Sequence, residues 1–252
     1  MTQDSPRTIW SLTGKDALSF LQGLVTNDLR PLEAGPGIVW AALLTPQGKY
    51  LADFFVVRRT GGALLVDIAT PLAADTLRRL TLYRLRADVQ IAPTDLTLTR
   101  GLDAMPDGAH PDPRHPGLGW RLYSDAPLAV PAVDWDAIRV ANLIPESGIE
   151  LVPDDTYILE AGFERLHGVD FRKGCYVGQE VTARMKHKTD LRKGLVRVVI
   201  EGAAPVGSEI TGADGKPAGT LFTQSGGFAI AHLRHDRAQG ILQASQARLW
   251  VD

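Results

Sequence analysis

Near residue 190 the hydrophobic pattern of this chain changes period, and that change restricts the folds open to it. From Gly194 onward come short apolar runs at residues 195–200, 219–223, 228–233 and 247–251, separated by glycine-rich turns. Short, evenly spaced strands with such turns are the pattern of a small closed barrel. Before that point strand and helix signals alternate irregularly. A strand at residues 8–12 leads to a helix capped by Thr13-Gly14-Lys15-Asp16, with Ala17, Leu21, Leu24 and Val25 on one face. Two apolar stretches, 38–44 and 50–57, flank Thr45-Pro46-Gln47-Gly48, where proline second and glycine fourth suit a type I turn and a β-hairpin. A strand at 63–68 precedes a helix that starts at Thr70-Pro71, with threonine as cap, and runs to about Tyr83. Strands at 89–91 and 96–99 follow. Residues 105–117 read as a proline- and glycine-rich surface loop, and a short helix spans 134–143. The mixture predicts an α+β fold, with a region of two α+β lobes at residues 1–190 and a β-barrel domain at residues 191–252.

The chemistry open to such a chain is narrowed by its one cysteine. Cys175 excludes an internal disulfide and any metal site built from several thiolates of this chain. His110 and His115 lie five apart in the proline-rich loop, without the companions that specify a metal, and read as solvated; no metal site is expected. A net charge of -2 argues against wholesale electrostatic binding to nucleic acid. The first residues lack the apolar core of a secretory signal, and the longest apolar run, 38–44, is too short to span a bilayer. The expectation is a cytoplasmic protein.

The most unusual stretch is Arg172-Lys173-Gly174-Cys175-Tyr176-Val177-Gly178-Gln179-Glu180-Val181-Thr182-Ala183-Arg184. Two glycines bracket the cysteine, with Arg172 and Lys173 before it and Arg184, Lys186 and Lys188 after it. A lone cysteine is most often a small buried hydrophobe. A core position seldom needs two glycines and flanking charge, whereas a cationic surrounding enriches the thiolate, the reactive and metal-binding form. His167 and His187 flank the stretch, so a Cys–His nucleophilic pair is conceivable, but no third group to orient it is evident.

Lys173 through Glu180 match the K-G-C-Y-x-G-Q-E motif, and by it the chain resembles the YgfZ family of folate-binding proteins and their mitochondrial counterpart in iron–sulfur assembly. Gly14-Lys15-Asp16-Ala17, Phe20 through Asp28, the Thr45–Gly48 turn and the barrel pattern are similar to that family and to the glycine-cleavage T-protein. The resemblance covers nearly the whole chain. It implies an aminomethyltransferase-like folate-binding fold and a tetrahydrofolate-binding accessory factor in the assembly or repair of iron–sulfur proteins. Its partners would be tetrahydrofolate or a derivative and iron–sulfur client or assembly proteins, with Cys175 as the functional thiol. Residues 139–148 resemble the T-protein segment whose glutamate binds the pterin, which puts Glu146 in that role; an ordinary loop carboxylate is the other reading. Glu160, in a similar Leu-Glu-Ala-Gly setting, is a second candidate. Arg172, Lys173 and Arg184 suit the carboxylates of folate, Tyr176 suits stacking on a flat ring, and Gln179 belongs to the same motif. After the hairpin turn, T-proteins carry two adjacent aspartates, and here stand Ala52 and Asp53. A folate-dependent one-carbon transferase with Asp53 as its base is therefore the alternative function, and the missing partner counts against it.

Overall fold

A computed structural model describes residues 6–188 and 191–252. The first residues, where a secretory signal would begin, and Asp190, at the expected domain boundary, fall partly or wholly outside that range. The chain runs β1 (Arg7–Thr13), α1 (Ala17–Gln22), β2 (Gly37–Leu44), β3 (Tyr50–Arg58), β4 (Leu64–Ala69), α2 (Thr70–Arg84) and β5 (Gln90–Pro93). It continues with β6 (Thr97–Gly101), β7 (His110–Pro111), β8 (Trp120–Ser124), α3 (Trp135–Asn142) and α4 (Gln179–Lys188). The last strands are β9 (Lys193–Glu201), β10 (Glu209–Thr211), β11 (Pro217–Ser225), β12 (Phe228–Arg234), β13 (Leu242–Ala244) and β14 (Ala247–Val251).

The first five strands form an antiparallel sheet in the order β2-β3-β4-β1-β5. Strands alternate their side chains between faces, and both faces of this sheet are covered. One face packs Phe54, Val56 and Val66 against Leu21 of α1, Leu24 and Val25 just after it, and Leu80 of α2. The other carries Trp40, Tyr50, Phe55 and Leu65 toward Phe163, Leu166 and Tyr176. Trp40 and Phe163 stack with ring centroids 4.2 Å apart. Strands β6, β8 and β7 make a second small sheet.

The C-terminal strands close into a barrel in the order β10-β11-β12-β9-β14-β13, with Thr211 opposite Gln243 completing the circle. Its core is its own: Ile210, Leu221, Leu233, Leu242 and Leu249 pack inside. The α+β fold with a small C-terminal barrel is the one expected. The two strands that the apolar runs did not reveal, β10 and β13, are three residues each, too short to show a period.

Three local expectations change. Asp16 occupies the N-cap of α1 but makes no capping bond; its carboxylate accepts the Asp88 N–H at 2.9 Å instead. The cap of α2 is Ala69, and the Thr70 hydroxyl pairs with that of Thr8 at 3.0 Å. The proline-rich stretch is not a plain surface loop: it delivers Asp112 and Arg114 into the interior, because the guanidinium and carboxylate enter as a pair.

Candidate functional site: an arginine-lined cavity and a cysteine loop

Two places gather the residues of interest. The first is a cavity of about 290 Å³ lined by Arg7, Arg100, Arg114 and Arg121, with Glu146 as the one carboxylate on its wall among the described residues and Phe55 among its apolar residues. The sheet explains the placement. Trp40, Phe55, Asp67 and Ile9 form one cross-strand row over β2, β3, β4 and β1. Three of the four are apolar, and the fourth, Asp67, is fully buried.

A buried carboxylate persists only when paired, and Asp67 is. Arg7 Nε donates to it at 2.6 Å, Arg121 Nη2 at 2.5 Å and the Tyr123 hydroxyl at 2.8 Å. Burial alone would raise the Asp67 carboxyl, but Arg7 and Arg121 outweigh it and hold it at about 2. Asp112 is shifted down in the same way by Arg114 and Arg121 against its burial; Arg114 Nη2 lies 2.8 Å away and Arg121 Nη1 3.3 Å. Burial pushes the Tyr123 hydroxyl well up. The Phe55 ring lies under this cluster, with the guanidinium carbons of Arg121 at 3.8 Å and Arg114 at 4.9 Å from its centroid. The compensating aspartates sit behind the arginines, so the wall itself is cationic.

Glu146 enters from the turn after α3. Its side chain is 16% exposed, and its nearest cation among the described residues is Arg139, 3.9 Å away. The next residue, Ser147, donates to Asp53 Oδ1 at 2.6 Å. Asp53 also accepts the Tyr50 hydroxyl at 2.6 Å and the Trp40 indole N–H at 2.8 Å. A carboxylate offers about four lone-pair sites, and three donors already occupy this one. The arrangement makes Asp53 a brace between the sheet and the Glu146 turn and leaves little capacity for taking a proton from a ligand.

The second place is the loop before α4. Cys175 is exposed, and among the described residues no hydrogen bond reaches its sulfur. The loop around it is fixed. Lys173 is 7% exposed and donates to the carbonyl oxygens of Gln22 and Val25, the latter at 2.5 Å. Burial lowers its ammonium to about 8. Thr26 donates to Gly168 O at 2.7 Å, and Asn27 to His167 O at 2.6 Å. The motif residues Gln22 to Asn27 thus form the seat on which the loop rests. Gly174 has φ +100, and Gly178 has φ +83 with its backbone against the hairpin turn, where an added Cβ would lie 2.5 Å from Thr45 O. Side chains other than glycine rarely adopt such φ values. Gln179 accepts the Tyr176 N–H at 3.1 Å and shapes the same turn.

The structure therefore divides the sequence candidates. Glu146 and Asp53 belong to the cavity region. Cys175, Lys173, Tyr176 and Gln179 belong to the loop, with Arg172 exposed beside them and Arg184 exposed on α4. Tyr176 is 8% exposed and packs in the core, so its ring face is already used. Glu160 lies elsewhere, at the barrel, 3.3 Å from His232 and 3.6 Å from Lys193. The His187 ring rests edge-on to Phe171 at 6.3 Å, and neither it nor His167 bonds to Cys175. Sequence reasoning missed Arg7, Asp67, Arg114 and Arg121. The available signal was a charge inside an apolar strand: Asp67 within Leu64–Ala69 and Arg121 within Trp120–Ser124.

Among the described residues no helix is long and apolar enough to cross a membrane. Residues 192–252 match the family described as CAF17, C-terminal beta-barrel domain. Over its whole length the fold is similar to the glycine cleavage system aminomethyltransferase T of Bartonella henselae. The TM-score is 0.74 at 14% identity, covering 98% of this chain and 83% of that one. The chain is 30% identical to the mitochondrial iron–sulfur cluster assembly factor IBA57 of Mus musculus, over 94% of this chain and 78% of the relative. It is 32% identical to the mitochondrial IBA57 homolog of Mycosarcoma maydis, over 75% of this chain and 54% of that relative, so it spans about half the length of the fungal protein. The human IBA57, also mitochondrial, is 29% identical over 94% of this chain. These mitochondrial relatives overturn the expectation of a cytoplasmic protein. The chain belongs to the IBA57 family of iron–sulfur cluster assembly factors.

Proposed function

We propose that this protein serves the assembly of iron–sulfur proteins by offering the Cys175 thiol on a braced, solvent-facing loop, with tetrahydrofolate or a derivative held in the arginine-lined cavity. The observation that carries the reading is the geometry of Cys175: exposed, on a loop anchored by Lys173 and by the glycine at 178. A core cysteine would need no such support. An iron–sulfur cluster would be cargo here, since one thiolate supplies one ligand and the others must come from a client or assembly partner.

The cavity suits one end of a folate. Its volume of about 290 Å³ is at the small end of ligand pockets, which run from about 300 to 1,000 Å³, so it has room for a bicyclic head and not for the full molecule. Glu146 can accept the paired N–H groups of a pterin in a bidentate contact. Leu96 and Leu98 offer apolar wall, and the exposed Arg172 and Arg184 remain beside the thiol.

Deletion of the gene followed by rescue tests the proposal. Activities of several cluster-containing enzymes should fall on deletion and return with the wild-type protein but not with Cys175→Ala. Unchanged cluster enzymes in the deletion strain would sink the assembly role.

A further inference from the structure

We propose that the C-terminal barrel is a working part of the cavity, with Thr223, Glu150 and Arg139 acting as positioning residues for Glu146. The inference rests on the reading of Glu146 as the pterin-holding carboxylate. Thr223 lies on β11 and is 5% exposed. Its hydroxyl donates to Glu150 Oε1 at 2.6 Å and accepts from Arg139 Nη2 at 2.9 Å. The other Glu150 oxygen, Oε2, accepts Arg139 Nη2 at 2.6 Å and the backbone N–H of Glu146 at 2.9 Å. Arg139 Nε donates to Ile144 O at 3.3 Å, just before the turn. The turn closes on itself through Glu146 O, which accepts from Ile149 and Leu151, both at 3.2 Å. A single barrel hydroxyl is thus two hydrogen bonds from the main chain that aims Glu146.

Adhesion alone does not require this cluster. Val140 of α3 already packs against Phe222 and Ile230 of the barrel, and apolar contact holds two elements together as well as buried charges do, without their desolvation cost. What the charged cluster adds is direction, because charge-assisted hydrogen bonds fix angles as well as distance. Glu150 is fully buried on its side chain and spends its acceptors on Arg139, Thr223 and the Glu146 amide. Removing the Thr223 hydroxyl leaves Glu150 Oε1, among the described residues, with only the Thr223 N–H, at 3.3 Å, and loosens one side of the carboxylate whose other oxygen holds the Glu146 amide.

The test uses the full chain with Thr223→Val and Thr223→Ser, and two readouts: hydrogen exchange at the Glu146 amide and affinity for tetrahydrofolate. Thr223→Val should speed exchange at Glu146 and weaken binding roughly tenfold, the scale of one buried hydrogen bond to a charged group. Thr223→Ser should restore both. Unchanged exchange and binding in Thr223→Val would overturn the proposal. So would a loss of protection across β9 and β12, since Thr223 would then hold the barrel together rather than aim Glu146. If the wild type binds no tetrahydrofolate while exchange at Glu146 still responds, the folate reading fails and the coupling to the barrel stands.

Discussion

The cavity and the cysteine loop solve opposite problems. The cavity keeps charges inside the protein: Asp67 is held by Arg7 and Arg121, from distant parts of the chain, and Asp112 by Arg114 and Arg121. The loop keeps a polarizable thiol outside, and its support is backbone shape and one buried lysine. Disturbing the first should therefore cost stability, while disturbing the thiol should cost function alone. The contrast separates residues that build the molecule from a residue it displays.

The largest effect is expected from Arg121→Met. It leaves Asp67 and Asp112 buried with one arginine each, and breaking a buried pair costs about 3–5 kcal/mol, measurable by urea unfolding. The same network sets the acid limit. The Asp67 carboxyl is held at about 2 in the folded protein, against about 3.9 in an unfolded chain. Its contribution is therefore complete above about pH 4 and is lost as pH falls toward 2. Stability of the wild type should fall steeply over that window, and less steeply in Arg121→Met. A smaller loss, about 2 kcal/mol, is expected for Gly178→Ala, which forces a Cβ onto Thr45 O at a positive φ. Its cluster-enzyme rescue should fall with it, because the loop loses its seat. Smallest is Cys175→Ala: an exposed side chain without hydrogen bonds should change unfolding by less than about 0.5 kcal/mol. A large drop in melting temperature for that variant would erase the contrast.

How much was legible in the sequence follows the same division. The cysteine loop was readable because its determinants are contiguous: Lys173, Gly174, Gly178 and Gln179 sit within seven residues and act on the backbone next to them. The hairpin and the longer barrel strands were readable from period and turn residues. The cavity was not, because its pairs join residues far apart in the chain; Arg121 and Asp67 are 54 positions apart, Ser147 and Asp53 94. No local pattern reports that two charges will meet. Glu146 was reached by resemblance, and its wiring to Thr223, across the barrel boundary, had no sequence signal at all. The proline-rich loop misled because its composition describes a surface turn, while Asp112 and Arg114 pair with each other and Asp112 is drawn inward by Arg121 on β8.

The most direct test of the account is titration of tetrahydrofolate into the wild type, Glu146→Gln and Cys175→Ala. Two separate sites predict that Cys175→Ala binds as the wild type does and that Glu146→Gln binds at least tenfold more weakly, the cost of a lost charge-assisted pair. Equal binding by Glu146→Gln, or loss of binding in Cys175→Ala, would contradict the division of the molecule into a ligand-holding cavity and a displayed thiol.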